Sequence, residues 1–96
     1  DDEQYRQPFD LVDKFPNLII TRTFSKIHGL ASLRIGYSYS SLEISQYLNK
    51  IKGPFNTSAI AQKCAIISLD DDEFFQRSIV HNKNSLNLLS DFMVNY

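Results

Sequence analysis

The sequence predicts part of an α/β domain, and three observations point there. Leu18-Ile19-Ile20 with Thr21 and Thr23 forms a β-branched apolar run that reads as a strand of about five residues. A second strand pattern occupies residues 34–39, and from Ser40 onward the apolar residues recur at helical spacing. A run without polar alternation is the mark of a strand covered on both faces, as in mostly parallel sheets flanked by helices. The expected order is therefore β-loop-β-α-α-α, with a further strand expected ahead of it.

Before the first strand, Phe9, Leu11 or Val12, and Phe15 recur at helical spacing and predict a short helix over residues 10–15. Pro16-Asn17 breaks it. Residues 25–31 form a loop or short helical turn interrupted by Gly29. Ser40 and Glu43 have the spacing of a capping box, in which a hydroxyl and a carboxylate each satisfy a free amide. They predict a helix to about Lys50, with Ile44, Tyr47, Leu48 and Ile51 on its apolar side, and Gly53-Pro54 ends it. Asn56 is placed to cap a second helix reaching Leu69. The small residues in that helix predict close packing on a neighbour. Asp70 and Glu73 repeat the box spacing and open a long last helix with Phe75, Ile79, Leu86, Leu89 and Met93 as its stripe, flanked by Phe74 and Phe92. The acids at 70–73 are read as caps that favour the positive helix end, in preference to a metal cluster.

Ninety-six residues are enough for one modest core. With 43% hydrophobic and 22% charged residues, the composition is that of a globular protein. Ten basic and eleven acidic side chains nearly cancel, and no block of like charge offers a surface to nucleic acid or an anionic membrane. The lone Cys64 excludes a fold held by internal disulfides. No apolar run approaches the roughly 20 residues that span a bilayer. The opening residues resemble no targeting segment, so a cytoplasmic protein is expected. The start without Met and a last helix still in register at Tyr96 lead us to expect an internal fragment of a longer protein.

Chemistry is concentrated directly after the first strand. Thr23 and Ser25 place two hydroxyls on one side of an extended chain, Lys26 follows, and Arg34 opens the next strand eight residues later. Hydroxyls, exposed amides and a guanidinium fork suit a phosphate, and the lysine can then act on a carbonyl. Ligands of open α/β sheets bind just beyond strand carboxyl ends. On spacing alone, a solvated loop with a surface lysine is the favoured reading.

The stretch from Asn17 to Tyr37 closely resembles the cofactor-lysine segment of the class I and II aminotransferases. Within that group it is most similar to the histidinol-phosphate aminotransferase branch. The shared pattern is Thr23-x-Ser25-Lys26, then Gly29-Leu30, then Arg34-x-Gly36, all in register. Asp2-Glu3-Gln4-Tyr5 resembles the family's Asp-Glu-Ala-Tyr, Pro54-Phe55-Asn56 its segment after the next helix, and residues 70–89 its helix toward the small domain. Gln4 in place of alanine and Ser32 in place of a common glycine are the departures. The resemblance covers essentially the whole chain. It implies a fragment of the large, cofactor-binding domain of the fold type I transferases that use pyridoxal 5'-phosphate, with a mostly parallel sheet.

The resemblance also implies residue roles. Lys26 is the covalent attachment point for the cofactor aldehyde and, once released, the carrier of the proton between substrate Cα and cofactor C4′. Asp2 pairs with the pyridine nitrogen, and Tyr5 donates to the ring's phenolic oxygen. Thr23, Ser25 and Arg34 anchor the phosphate. The implied substrates are an amino acid or histidinol phosphate with a 2-oxo acid such as 2-oxoglutarate, and the implied assembly is a homodimer, with no metal. Related enzymes of the same cofactor, such as aspartate or aromatic aminotransferases and amino-acid phosphate decarboxylases, share this segment, and a catalytically silent fragment is a further alternative. His28, His81 and Cys64 are read as structural or surface residues.

Overall fold

The computed structural model describes residues 8–94. A 3-10 turn at Pro8–Leu11 leads to strand β1, Ile19–Thr23; a second 3-10 turn, Ala31–Leu33, precedes strand β2, Gly36–Ser40. Three helices follow: α1, Leu42–Ile51; α2, Ala59–Leu69; and α3, Asp72–Val94. The expected helix at 10–15 is thus the shorter Pro8–Leu11 turn, stopped ahead of Pro16.

The two strands pair antiparallel, from Ile19 opposite Ser40 to Thr23 opposite Gly36. This corrects the expectation of a parallel sheet for the strands described. The cause lies in their connection. Parallel neighbours need a crossover of a dozen or more residues, usually with a helix, to return to the starting edge. Residues 24–35 contain only the three-residue turn Ala31–Leu33, so the chain folds straight back. Nor is β1 covered on both sides: Ile20 is buried while Ile19, Thr21 and Thr23 are exposed. An apolar β-branched run reports strand propensity, but neither direction nor the number of covered faces.

Opposed residues share a face of the hairpin. Ile20, Arg22, Tyr37 and Tyr39 lie on one side, where the Phe9 ring meets Tyr39 edge-on at 5.3 Å and the Arg22 guanidinium sits 5.8 Å from the Phe9 ring centre. Near the other side, Ser40 Oγ meets Ser45 Oγ of α1 at 3.0 Å, and Ser41 Oγ donates to the Pro16 carbonyl at 3.2 Å. Beyond the hairpin tip, Phe24, Ile35, Ala61 and Ala65 form the core, with Leu30 and Leu33 packed on it. Ala61 and Ala65 are four residues apart on one face of α2, and their small size suits that face to packing on the connection between the strands.

All three helices start one or two residues later than expected at their caps. Ser41, not Ser40, accepts from the Ile44 amide; Ser58, not Asn56, accepts from Ala61; and Asp71, not Asp70, accepts from Phe74. Ser40 still belongs to β2, and Phe55 turns the chain at a positive φ of 57° before α2 can begin. With the caps shifted, the residues three positions on are Ile44, Ala61 and Phe74, so no reciprocal box closes. Replacing Asp71 by Ala in the full-length protein should cost about 1 kcal/mol, as a lost cap does. Chemical denaturation would show it, and a midpoint equal to the wild type would mean that the cap is dispensable.

The radius of gyration is 17.2 Å, against about 12 Å for a compact domain of this length. Helix α3 explains much of the difference. Its first turns lay Phe74, Phe75, Ser78 and Ile79, all half-buried, toward the rest of the chain, whereas Leu86, Leu89 and Met93 are 58%, 59% and 74% exposed. The predicted stripe is therefore present but covered only over its first half. No helix among the described residues is long and apolar enough to cross a membrane.

Candidate active site

The hairpin tip is built so that β1 delivers its end to an open turn. Beyond the Thr23–Gly36 pair, the Phe24 amide donates to the Ile35 carbonyl at 3.3 Å, extending the ladder by one step. Ser25 and Arg34 then leave the two strands on either side of the same step. Gly36 allows this close approach: a Cβ there would lie 2.7 Å from the Arg22 carbonyl oxygen, so any side chain would push the strands apart directly beneath the turn.

Residues 24–30 form a tight loop. Thr23 Oγ1 accepts the Ser25 amide at 3.0 Å, the Gly29 amide donates to the Lys26 carbonyl at 2.9 Å, and the Leu30 amide returns to the Phe24 carbonyl at 2.9 Å. Gly29 sits at φ 70°, a left-handed conformation that favours glycine, and a Cβ there would stand 3.3 Å from the Phe74 ring. Both glycines of the sequence pattern thus have steric reasons. Phe24 points inward and is buried, Ser25 is half-buried, and Thr23 and Lys26 are exposed.

Lys26 and Ile27 form one wall of an open groove of about 1310 Å³. Helix α3 forms the other with Phe74, Arg77, His81 and Lys83. His81 therefore faces the same space as Lys26, which the helical spacing of 74, 77, 81 and 85 encodes once the first of these is known to face the loop. Sequence reasoning left Lys83 and Arg77 aside. Arg77 is engaged locally, 3.7 Å from Glu73 and with its guanidinium 5.6 Å from the Phe74 ring centre.

Arg34 adopts φ 51°, uncommon for a residue with a side chain, and closes the Ala31–Leu33 turn. Its Nη1 donates to the Ala31 carbonyl at 2.6 Å. The structure thus brings Thr23, Ser25, Lys26 and Arg34 to one end of the hairpin, while the Arg34 fork folds over its own turn rather than onto the two hydroxyls. Asp2 and Tyr5 lie outside the described residues. Cys64 is half-buried beside the small-residue face of α2.

A model of the aminotransferase class I and II family matches residues 2–95. The chain belongs to that family. The histidinol-phosphate aminotransferase of Caldicellulosiruptor saccharolyticus is 49% identical over 86 residues, 90% of this chain and 24% of that protein. That of Campylobacter lari is 38% identical over 96 residues, 100% of this chain and 26% of the relative. Histidinol-phosphate aminotransferase 2 of Haemophilus influenzae is 41% identical over 90 residues, 94% and 25% respectively. The chain spans about a quarter of the length of these curated relatives.

Family membership implies pyridoxal 5'-phosphate. The donor set at the hairpin tip fits such a group: a primary amine for an aldehyde, two hydroxyls, and a guanidinium for a dianionic phosphate. The Ala31 carbonyl occupies one of the five N–H donors that an arginine carries, leaving others for an anion.

Proposed function

We propose that this chain is the cofactor-anchoring part of the large domain of a histidinol-phosphate aminotransferase, with α3 leading toward a smaller domain. The whole protein transfers an amino group between histidinol phosphate, or an amino acid, and a 2-oxo acid. The observation that carries this reading is Lys26 on an exposed turn at the end of β1, with Thr23, Ser25 and Arg34 at the same end of the hairpin. The similarity to histidinol-phosphate aminotransferases over nearly the whole chain supports the substrate.

When bound, pyridoxal phosphate supplies an aldehyde to take the amino group and an electron-accepting ring. This chain's residues do the rest. Lys26 holds the cofactor covalently and then moves the proton at the substrate Cα. Thr23, Ser25 and Arg34 grip the phosphate and fix the ring's position, which turns a loose encounter into an oriented one. Asp2 would pair with the pyridine nitrogen and Tyr5 would donate to the phenolic oxygen. The protein works as a homodimer, its site completed by the rest of the chain and by a second copy.

The test is the full-length protein supplied with cofactor, 2-oxoglutarate and one donor at a time. Glutamate should form with histidinol phosphate at a kcat/KM well above that with aspartate or aromatic amino acids, and sedimentation of the same preparation should show a dimer. Preference for another donor would move the protein to a neighbouring branch. Absence of turnover with every donor would sink the enzymatic reading, and an active monomer the dimeric one.

A further inference from the structure

Lys26 is exposed, so its long side chain takes its position from the backbone that carries it. That backbone is held from one unexpected place. The His28 ring, two residues on, lies 5.0 Å from the Phe24 ring and 5.7 Å from the Phe75 ring, centre to centre, tilted 53° and 44° to them. Its Nδ1 is 3.3 Å from the Ser68 carbonyl oxygen, forty residues away in the last turn of α2. A carbonyl can only accept, so the proton must be on Nδ1. His28 therefore touches the end of β1, the end of α2 and the start of α3 at once. Phe74 of α3 also stands over this loop, 3.3 Å from where a Cβ at Gly29 would lie.

We propose that His28 is the positioning residue for Lys26: its ring, wedged between Phe24 and Phe75 and bonded to Ser68, holds the lysine turn in register with α2 and α3. This rests on the assignment of Lys26 as the cofactor lysine. Aromatic pairs contribute about 0.5–1.5 kcal/mol beyond the area they bury, and a neutral hydrogen bond about 1 kcal/mol. Neither dominates, so each contact alone holds the turn in part. The consequence falls on chemistry more than on substrate affinity. A lysine that wanders by about an ångström loses rate, because proton transfer needs hydrogen-bond reach. Stability is shared with the Phe24–Ile35–Ala61–Ala65 core, which does not include the histidine.

The experiment uses the full-length holoenzyme with His28→Ala, His28→Phe, which keeps a ring, and His28→Asn, which keeps a donor. His28→Ala should lower kcat about tenfold with KM nearly unchanged, and should shift the pH at which the bound cofactor's absorption band changes. His28→Phe and His28→Asn should each recover part of both. If His28→Ala does not fold, the two partial variants decide, and a defect in both readouts is expected of each. Wild-type kcat and an unmoved absorption curve in every variant that folds would overturn the proposal. Borohydride reduction and peptide mapping of the wild type separate it from the assignment beneath it. Cofactor on a lysine other than Lys26 defeats that assignment, while cofactor on Lys26 with unmoved spectra defeats the role of His28 alone.

Discussion

Substituting Lys26 by alanine in the full-length protein should abolish the covalent hold on pyridoxal phosphate and nearly all transamination. The lysine is the only one carried by the loop that leaves β1, between the Ser25 hydroxyl and a glycine turn that fixes its backbone. The other lysines are differently placed. Lys14 precedes β1, near its opposite end; Lys50 lies in the last turn of α1 with its ammonium 5.2 Å from the Tyr47 ring centre; Lys52 caps that helix; and Lys63 is exposed on α2. Lys83 is the rival that the structure raises, because it lines the same groove from α3. Borohydride reduction of the holoenzyme makes the lysine–cofactor bond permanent, and mass mapping should find the cofactor on the peptide containing Thr23-Phe24-Ser25-Lys26. Lys83→Ala should retain the label and most turnover. A label on Lys83, or normal turnover in Lys26→Ala, would overturn the assignment. No energy share belongs to Lys26 from such a loss, since groups acting in one mechanism are not additive.

Much of the fold was legible because its signals are local. The Leu18–Ile20 run marked β1, glycine and proline marked the break before α2, and cap residues marked helix starts to within one or two positions. What was not legible depends on partners distant in sequence. The antiparallel return was hidden because direction is set by what residues 24–35 form, not by either strand's own pattern. The shifted caps have the same origin. Ser40 and Ser41 are equally good caps by type, and only the end of β2 decides which of them faces a free amide. Leu86, Leu89 and Met93 form the stripe expected of a packed helix, yet no described element covers them, so periodicity announced a buried face without naming what buries it.

The site divides in the same way. Hydroxyls, lysine and arginine were visible at fixed spacing, and the reasons for Gly29 and Gly36 appear only with Phe74 and the Arg22 carbonyl in place. His28 was passed over because its partners, Ser68 and Phe75, stand some forty residues along the chain. The groove wall of Arg77, His81 and Lys83 was equally invisible until α3 was seen to run beside the lysine turn. The Asp2 and Tyr5 roles rest on family pattern alone.

Arg34→Ala should weaken retention of pyridoxal phosphate by roughly ten- to a hundredfold in the full-length protein, the equivalent of about 1.5–3 kcal/mol for a charge-assisted pair. If the guanidinium acts on the phosphate and not on the ring, the absorption of whatever cofactor remains should change little. The competing role is visible in the structure: Arg34 closes the Ala31–Leu33 turn and its Nη1 bonds the Ala31 carbonyl. If bracing the turn were its whole duty, losing the guanidinium would matter through the backbone. The left-handed φ of 51° provides the means to tell the two apart. Alanine keeps the steric cost of that conformation, whereas glycine adopts it readily and relieves about 1 kcal/mol of it. A phosphate ligand predicts that Arg34→Gly loses cofactor on dialysis about as fast as Arg34→Ala. A brace predicts that glycine restores retention. Lysine adds a third comparison: it returns a point charge without the planar fork, so partial recovery is expected of a bidentate phosphate contact. Wild-type retention in Arg34→Ala would leave Thr23 and Ser25 as the phosphate's only side-chain anchors on this loop and would remove Arg34 from the site.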